Sequence, residues 1–190
     1  MSVDDLAHPP DPADVPNPSD LQAAFRELHQ VSLHGFALLV HLGDESRAGP
    51  GTSRALTEGQ AHVDRLRHPQ RAAAWLRRWV VRHRPQWASR ARVDDDRRRR
   101  LGALGVTGPA AVGLAQLRPD ERAALVADAI ERLDRRDVGT IVGRHGEPLE
   151  RLIMRARRRY IEAYVRSATG AVTDGPLVRS IHRAAQRVVR

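Results

Sequence analysis

Apolar positions along this chain fall at the three- and four-residue spacing of helices, interrupted by clusters of proline and glycine. Residues 1–18 hold Pro9, Pro10, Pro12, Pro16 and Pro18 among acids and small residues, a composition expected to stay disordered. Ser19 or Asp20 then offers an N-cap, and Leu21, Ala24, Phe25 and Leu28 share a helical face. Val31 to Leu42 reads as a partner helix ending at Gly43-Asp44. The run AGPGTS, from Ala48 to Ser53, predicts a break that no helix crosses cheaply. Helix resumes over Arg54 to Val63, turns at His68-Pro69 and restarts at Gln70, with Pro85 ending or kinking it. Within that last helix Ala74, Trp75, Trp79 and Val80 share a face while Arg77, Arg78 and Arg82 point elsewhere.

Asp94-Asp95-Asp96 followed by Arg97 to Arg100 has no apolar positions and reads as a linker. Beyond it, helices are predicted over Gly108 to Gln116, Pro119 to Glu131, Asp134 to Val142, and Glu147 to Tyr160 or slightly further. Gly143 and His145-Gly146 form a tight turn before a helix carrying Arg151, Arg155, Arg157, Arg158 and Arg159. That is the pattern of a helix-turn-helix, although helical hairpins without DNA function look similar. Leu177, Ile181, Ala184, Ala185 and Val188 predict an amphipathic C-terminal helix. The expected fold is all-α: a leader (1–18), a helical bundle domain (19–92), a charged linker (93–100), a helix-turn-helix domain (101–168) and an amphipathic extension (169–190).

Composition sharpens this picture. A 4% aromatic content means cores built from Leu, Val, Ile and Ala, which favours helices over a β-sandwich. The net charge is +9, and all 32 Lys+Arg positions are arginine, clustered from Arg65 to Arg100 and from Arg151 to Arg159. Such clusters suit contact with a phosphate backbone; a solvated helix face is the plainer alternative. Absence of cysteine removes disulfides, thiolate metal sites and thiol nucleophiles. The start MSVDDLAHPP lacks the apolar stretch of a signal peptide and no run approaches a membrane span, so a cytoplasmic protein without membrane contact is expected.

Two segments carry a resemblance. FRELHQVSLHGFALLVHLGDESRA followed by HVDRLRHPQRAAAWLRRWVVRH, and later LRPDERAALVADAIERLDRRDVGTIVG followed by LERLIMRARRRY, together resemble regions two and four of extracytoplasmic-function sigma factors. The likeness lies in their collinear order; no single motif is unique. It implies a DNA-binding initiation factor that directs core RNA polymerase to promoter DNA, with an anti-sigma or other regulatory protein as a further partner. It implies that Asp64, Arg65, Arg67 and His68 lie in a loop that captures an unstacked base. Arg78, Trp79, Arg82 and His83, with Trp75, would occupy the DNA-facing helix, and Glu147, Glu150, Arg151, Arg155 and Arg158 the recognition helix. Core packing is the alternative for Trp75 and Trp79, and helix capping for Glu147 and Glu150. Ala48 to Leu56 stands where the family has an acidic clamp-binding helix, so a broken helix without those carboxylates is expected there. Arg135-Arg136-Asp137-Val138 and Thr140 replace the family's usual aromatic and Glu, a change expected to bear on specificity only.

No catalytic constellation is evident. The nine histidines include no pair four apart, His29 and His34 being the closest, and AGPGTS lacks the pattern of a phosphate-cradling loop. Asp94 to Asp96 reads as an electrostatic spacer. Neither a metal, a cofactor nor an enzymatic activity is expected. Three binding readings stay open: a working sigma factor, a sigma-like regulator with a different mode of binding, and a protein-interaction module whose arginines serve solubility.

Overall fold

The computed structural model describes residues 17–66, 68–83, 93–106 and 108–168, with Arg179. The leader up to residue 16, Arg67, Pro85 and almost all of the C-terminal extension lie outside the described residues. Those described form eight α-helices and no strand, the all-α architecture expected.

Helix α1, Pro18–Val40, is continuous where two helices were expected. Pro18 sits in the first turn, where its missing N–H costs nothing, and the Asn17 side chain accepts from the Ser19 N–H at 3.1 Å. Only Phe25 of the four expected face residues is buried; Leu28 is exposed, and the working face runs on through His29, Leu33, Phe36, Ala37 and Val40. α1 ends in a left-handed turn: Leu42 has φ 55°, Gly43 has φ 73°, and the Gly43 N–H reaches back to the Leu38 carbonyl at 2.8 Å.

α2, Glu45–Ala61, crosses the segment predicted to break it, with Pro50 inside the helix. Pro50 removes one turn-to-turn bond near the N-terminal end, while Ala48, Thr52, Ala55, Leu56 and Gly59 bury one face, so packing outweighs propensity. Gly59 permits a close approach: a Cβ there would meet the Phe25 ring at 2.7 Å and Leu76 at 2.9 Å. A 3-10 turn, Val63–Arg65, leads to α3, Pro69–Arg82, which starts one residue before the expected Gln70.

The expected linker is largely helical. α4, Asp95–Ala103, is capped by Asp94, whose carboxylate accepts from the Arg97 N–H at 2.9 Å. Acids in its first turn and arginines after them complement the helix dipole and pair three residues apart, Asp95 with Arg98 and Asp96 with Arg99. The helix docks on the turn after α1: Arg97 bonds Asp44 at 2.7 Å and Arg100 donates to the Gly43 carbonyl at 3.1 Å. Gly43 is required here, since a Cβ would lie 2.6 Å from the Arg97 carbonyl oxygen.

α5 (Gly108–Ala115), α6 (Pro119–Leu125, continued by a π-helical turn Val126–Ile130), α7 (Arg135–Val142) and α8 (Glu147–Ser167) follow near the expected bounds, α8 running past Tyr160. Residues 121–127 are all buried, so α6 is the central element, packed on α1, α3, α7 and α8. Its two buried charges are satisfied internally. Arg122 donates to the carbonyls of Leu114, Leu117 and Val40, while Glu121 accepts from the Arg118 N–H and from Arg159. Against α8, Gly113 of α5 lets the buried Tyr160 ring approach. One hydrophobic cluster runs from Phe25 to Tyr160 through both halves of the chain, and α3 packs against α7 as well as against α1 and α2.

Candidate nucleic-acid interface

The helix pair α7–α8 is built from local rules. Asp134 caps α7 by accepting from the Asp137 N–H at 2.8 Å, and Gly143 closes it in the left-handed conformation at φ 68°. Gly139 leaves room for the turn to fold back, because a Cβ would lie 2.7 Å from both the Arg144 carbonyl oxygen and the His145 ring. Gly146, at φ 58°, then starts α8, with Pro148 in the first turn.

α8 buries Leu149, Leu152, Ile153, Ala156, Tyr160 and Ala163, and presents Glu147, Glu150, Arg151, Met154, Arg155 and Arg158 on the outside. All five residues expected on a recognition helix therefore share its exposed side. Each carries an intramolecular ion pair: Glu147 with Arg151, Glu150 with Arg135 at 3.1 Å, Arg155 with Glu121 at 3.5 Å, and Arg158 with Glu162 at 3.8 Å. These pairs are mostly exposed and individually weak, so a polyanion competes with them readily.

The second candidate surface is α3 and its lead-in. Asp64, Arg65, His68, Arg82 and His83 are exposed, whereas Arg78 and Trp79 are half-buried. Trp79 stacks on His83 with centroids 3.9 Å apart, and Trp75 lies 6.0 Å from His62 at a tilt. Both tryptophans also pack on the core, so neither role expected for them excludes the other.

Arg77 departs from expectation. It is buried at 5% exposure rather than outward-pointing, because α7 and the end of α6 cover the α3 side on which it lies. Its guanidinium forks onto Glu131 at distances of 2.6 and 2.5 Å and lies 5.5 Å from the centre of the Phe36 ring. Next to it, Arg78 donates to the Thr140 carbonyl at 3.2 Å. Arg77 recurs with Ala73, Val80 and Val81 at helical spacing, a signal of burial that its charge conceals in the sequence.

Two ionisable groups near this junction are displaced from their ordinary values. Burial lowers the His29 imidazole, and the nearby Arg77 charge lowers it further. Burial raises the Asp137 carboxyl, reinforced by Asp134 and opposed by Arg136, Arg71 and His68. Among the described residues no group of three or more His, Cys, Asp or Glu side chains is placed to hold a metal ion, and no helix is long and apolar enough to cross a membrane.

No protein-family model matches the chain, and neither the curated proteins nor the solved structures compared with it yield a match.

Proposed function

We propose that this protein is a DNA-binding regulator of transcription initiation resembling a sigma factor, acting in the cytoplasm through core RNA polymerase and promoter DNA. The observation that carries the reading is the α7–turn–α8 pair, whose second helix exposes Arg151, Arg155 and Arg158 along one side of a chain with net charge +9. A helix of this kind fits a major groove, its arginines forking onto phosphates or guanine edges while Glu147 and Glu150 accept from cytosine amino groups. The protein supplies recognition and no chemistry of its own.

Titrating labelled duplex fragments with the full chain over a salt series tests this. Binding should weaken steeply with salt, and Arg151→Ala with Arg155→Ala and Arg158→Ala should lower the log–log slope by about 0.9 for each phosphate no longer neutralised. Run-off transcription with core polymerase then reads promoter choice. One observation favours a second reading, a sigma-like module for a protein partner: the α8 arginines already have carboxylates within the chain. Salt-insensitive capture of a protein, with no duplex binding, would select it.

A further inference from the structure

Helix α1 carries an apolar seam that is open over its first turns. Leu21, Ala24, Leu28 and Val31 recur at alternating spacings of three and four, and all are exposed, Leu28 at 62% and Val31 at 83%. The same spacing continues through Gly35 and Leu38, and there it is covered: Leu38 is buried, and a Cβ on Gly35 would lie 3.9 Å from Leu104. One side of α1 is thus packed toward its C-terminal end and bare toward its N-terminal end. We infer that the bare stretch is the docking site for residues 177–188 of the same chain, bound as an antiparallel helix. The inference goes beyond the DNA-binding reading of α8 and does not depend on it.

Residues 177–188 lie outside the described residues except for Arg179, which is helical and exposed. Their sequence repeats the seam: Leu177, Ile181, Ala184 and Val188 alternate spacings of four and three, behind Pro176, which suits the first turn of a helix. A helix of about 12 residues is marginal by itself in water, so this one needs a surface. Charge selects the surface and the sense. Asp20 and Glu27 line one edge of the α1 seam, whereas Phe25 and Ser32 flank the other. In the tail, Arg183, Arg187 and Arg190 follow one edge of the seam, and Val178 and Ala185 the other. Antiparallel pairing brings the acidic edge onto the basic one and sets Val178 and Ala185 beside Phe25 and Ser32. A second copy of α1 fits worse, because in the same sense its Asp20 and Glu27 would face their own counterparts. Four apolar positions also fall short of the roughly 20–30 residues a side of a stable complex between separate molecules. A tethered segment needs less area, since the tether supplies a high local concentration. The eight residues between Ala168 and Leu177 can span about 26–29 Å, about the diameter of a small domain.

The test uses the full chain, with hydrogen exchange of residues 177–188 as the readout. A segment docked about nine-tenths of the time exchanges about tenfold more slowly than a free one. Leu28→Asp with Val31→Asp should abolish that protection, and both positions are exposed, so the fold itself survives the change. Asp20→Arg with Glu27→Arg should weaken it, as should Arg183→Glu with Arg187→Glu, and combining all four reversals should restore it. Because the chain has no cysteine, Leu28→Cys with Ile181→Cys introduces its only thiols, and a short bifunctional maleimide should join them within one molecule. Fast exchange of residues 177–188 in the wild-type chain, or protection that the α1 variants leave unchanged, overturns the docking. So does a covalent dimer formed by Leu28→Cys alone in place of the intrachain link, which would assign the seam to a second copy. None of these variants touches Arg151, Arg155 or Arg158, so duplex binding through α8 stands or falls separately.

Discussion

Glu121→Gln is the substitution whose cost follows most directly from the structure. The carboxylate is 2% exposed, accepts from the Arg118 N–H at 3.0 Å and from Arg159 at 3.0 and 3.2 Å, and has Arg155 as an ion-pair partner at 3.5 Å. It joins the start of α6 to the middle of α8, the helices that precede and follow α7. A hydrogen bond to a charged group contributes about 1.5–3 kcal/mol when buried. Arg155 and Arg159 are about two-fifths exposed, so screening moves their shares toward the 0–1 kcal/mol of a surface pair. Glutamine keeps one oxygen for the Arg118 N–H but turns an amide, itself a donor, toward the guanidinium groups. The expected loss is about 2 kcal/mol, read from the urea midpoint by far-UV circular dichroism with an unchanged slope. In a chain of this size that corresponds to a fall of about 4–8 °C in Tm. Arg159→Met, which removes one partly solvated donor, should cost about 1 kcal/mol or less. A loss below about 0.5 kcal/mol for Glu121→Gln would refute the argument, showing that water replaces the carboxylate as well as the arginines do.

Three other outcomes follow from the same geometry. His29 has a folded-state pKa below its unfolded value near 6.5, so the unfolded chain takes up the proton first as pH falls. Its contribution is fully present above about pH 6.5 and is lost as pH drops toward the folded value; His29→Gln should flatten the acid side of a stability–pH profile, and an unchanged profile would exclude His29 as the cause. Pro50→Ala restores the bond to the Ser46 carbonyl at an exposed position of α2 and should raise stability by about 1–3 kcal/mol, measured by thermal melting; a fall in Tm would mean the kink is needed for packing. Gly59→Ala drives a methyl into the Phe25 ring and Leu76 and should cost about 1–3 kcal/mol in urea unfolding, whereas a neutral result would show that α2 shifts freely on α1 and α3.

The elements most legible in the sequence are those whose determinants are local. Asp134, Gly143 and Gly146 state the ends of α7 and the start of α8 within a few residues, and the apolar spacing from Leu149 to Tyr160 states which side of α8 is buried. The exposed side, with Glu147, Glu150, Arg151, Arg155 and Arg158, follows from that periodicity. The features that run against sequence expectation are determined at long range. A break at Ala48 to Ser53 is a sound statement of propensity, but the α2 face closing on Phe25 and Leu76 reverses it, and no local signal shows that those partners exist. α4 has its signature in plain view, an aspartate cap with acids before arginines, yet a segment without apolar periodicity gives no reason to dock. The reason is Asp44, which lies 53 positions from Arg97 in the chain. Arg77 is the same case with more consequence. A charge on a mostly apolar stripe reads as outward until its partner is known, and Glu131 is 54 positions away. Neither residue alone marks a binding surface or an interface. Together they decide that this face of α3 meets α7 and the end of α6.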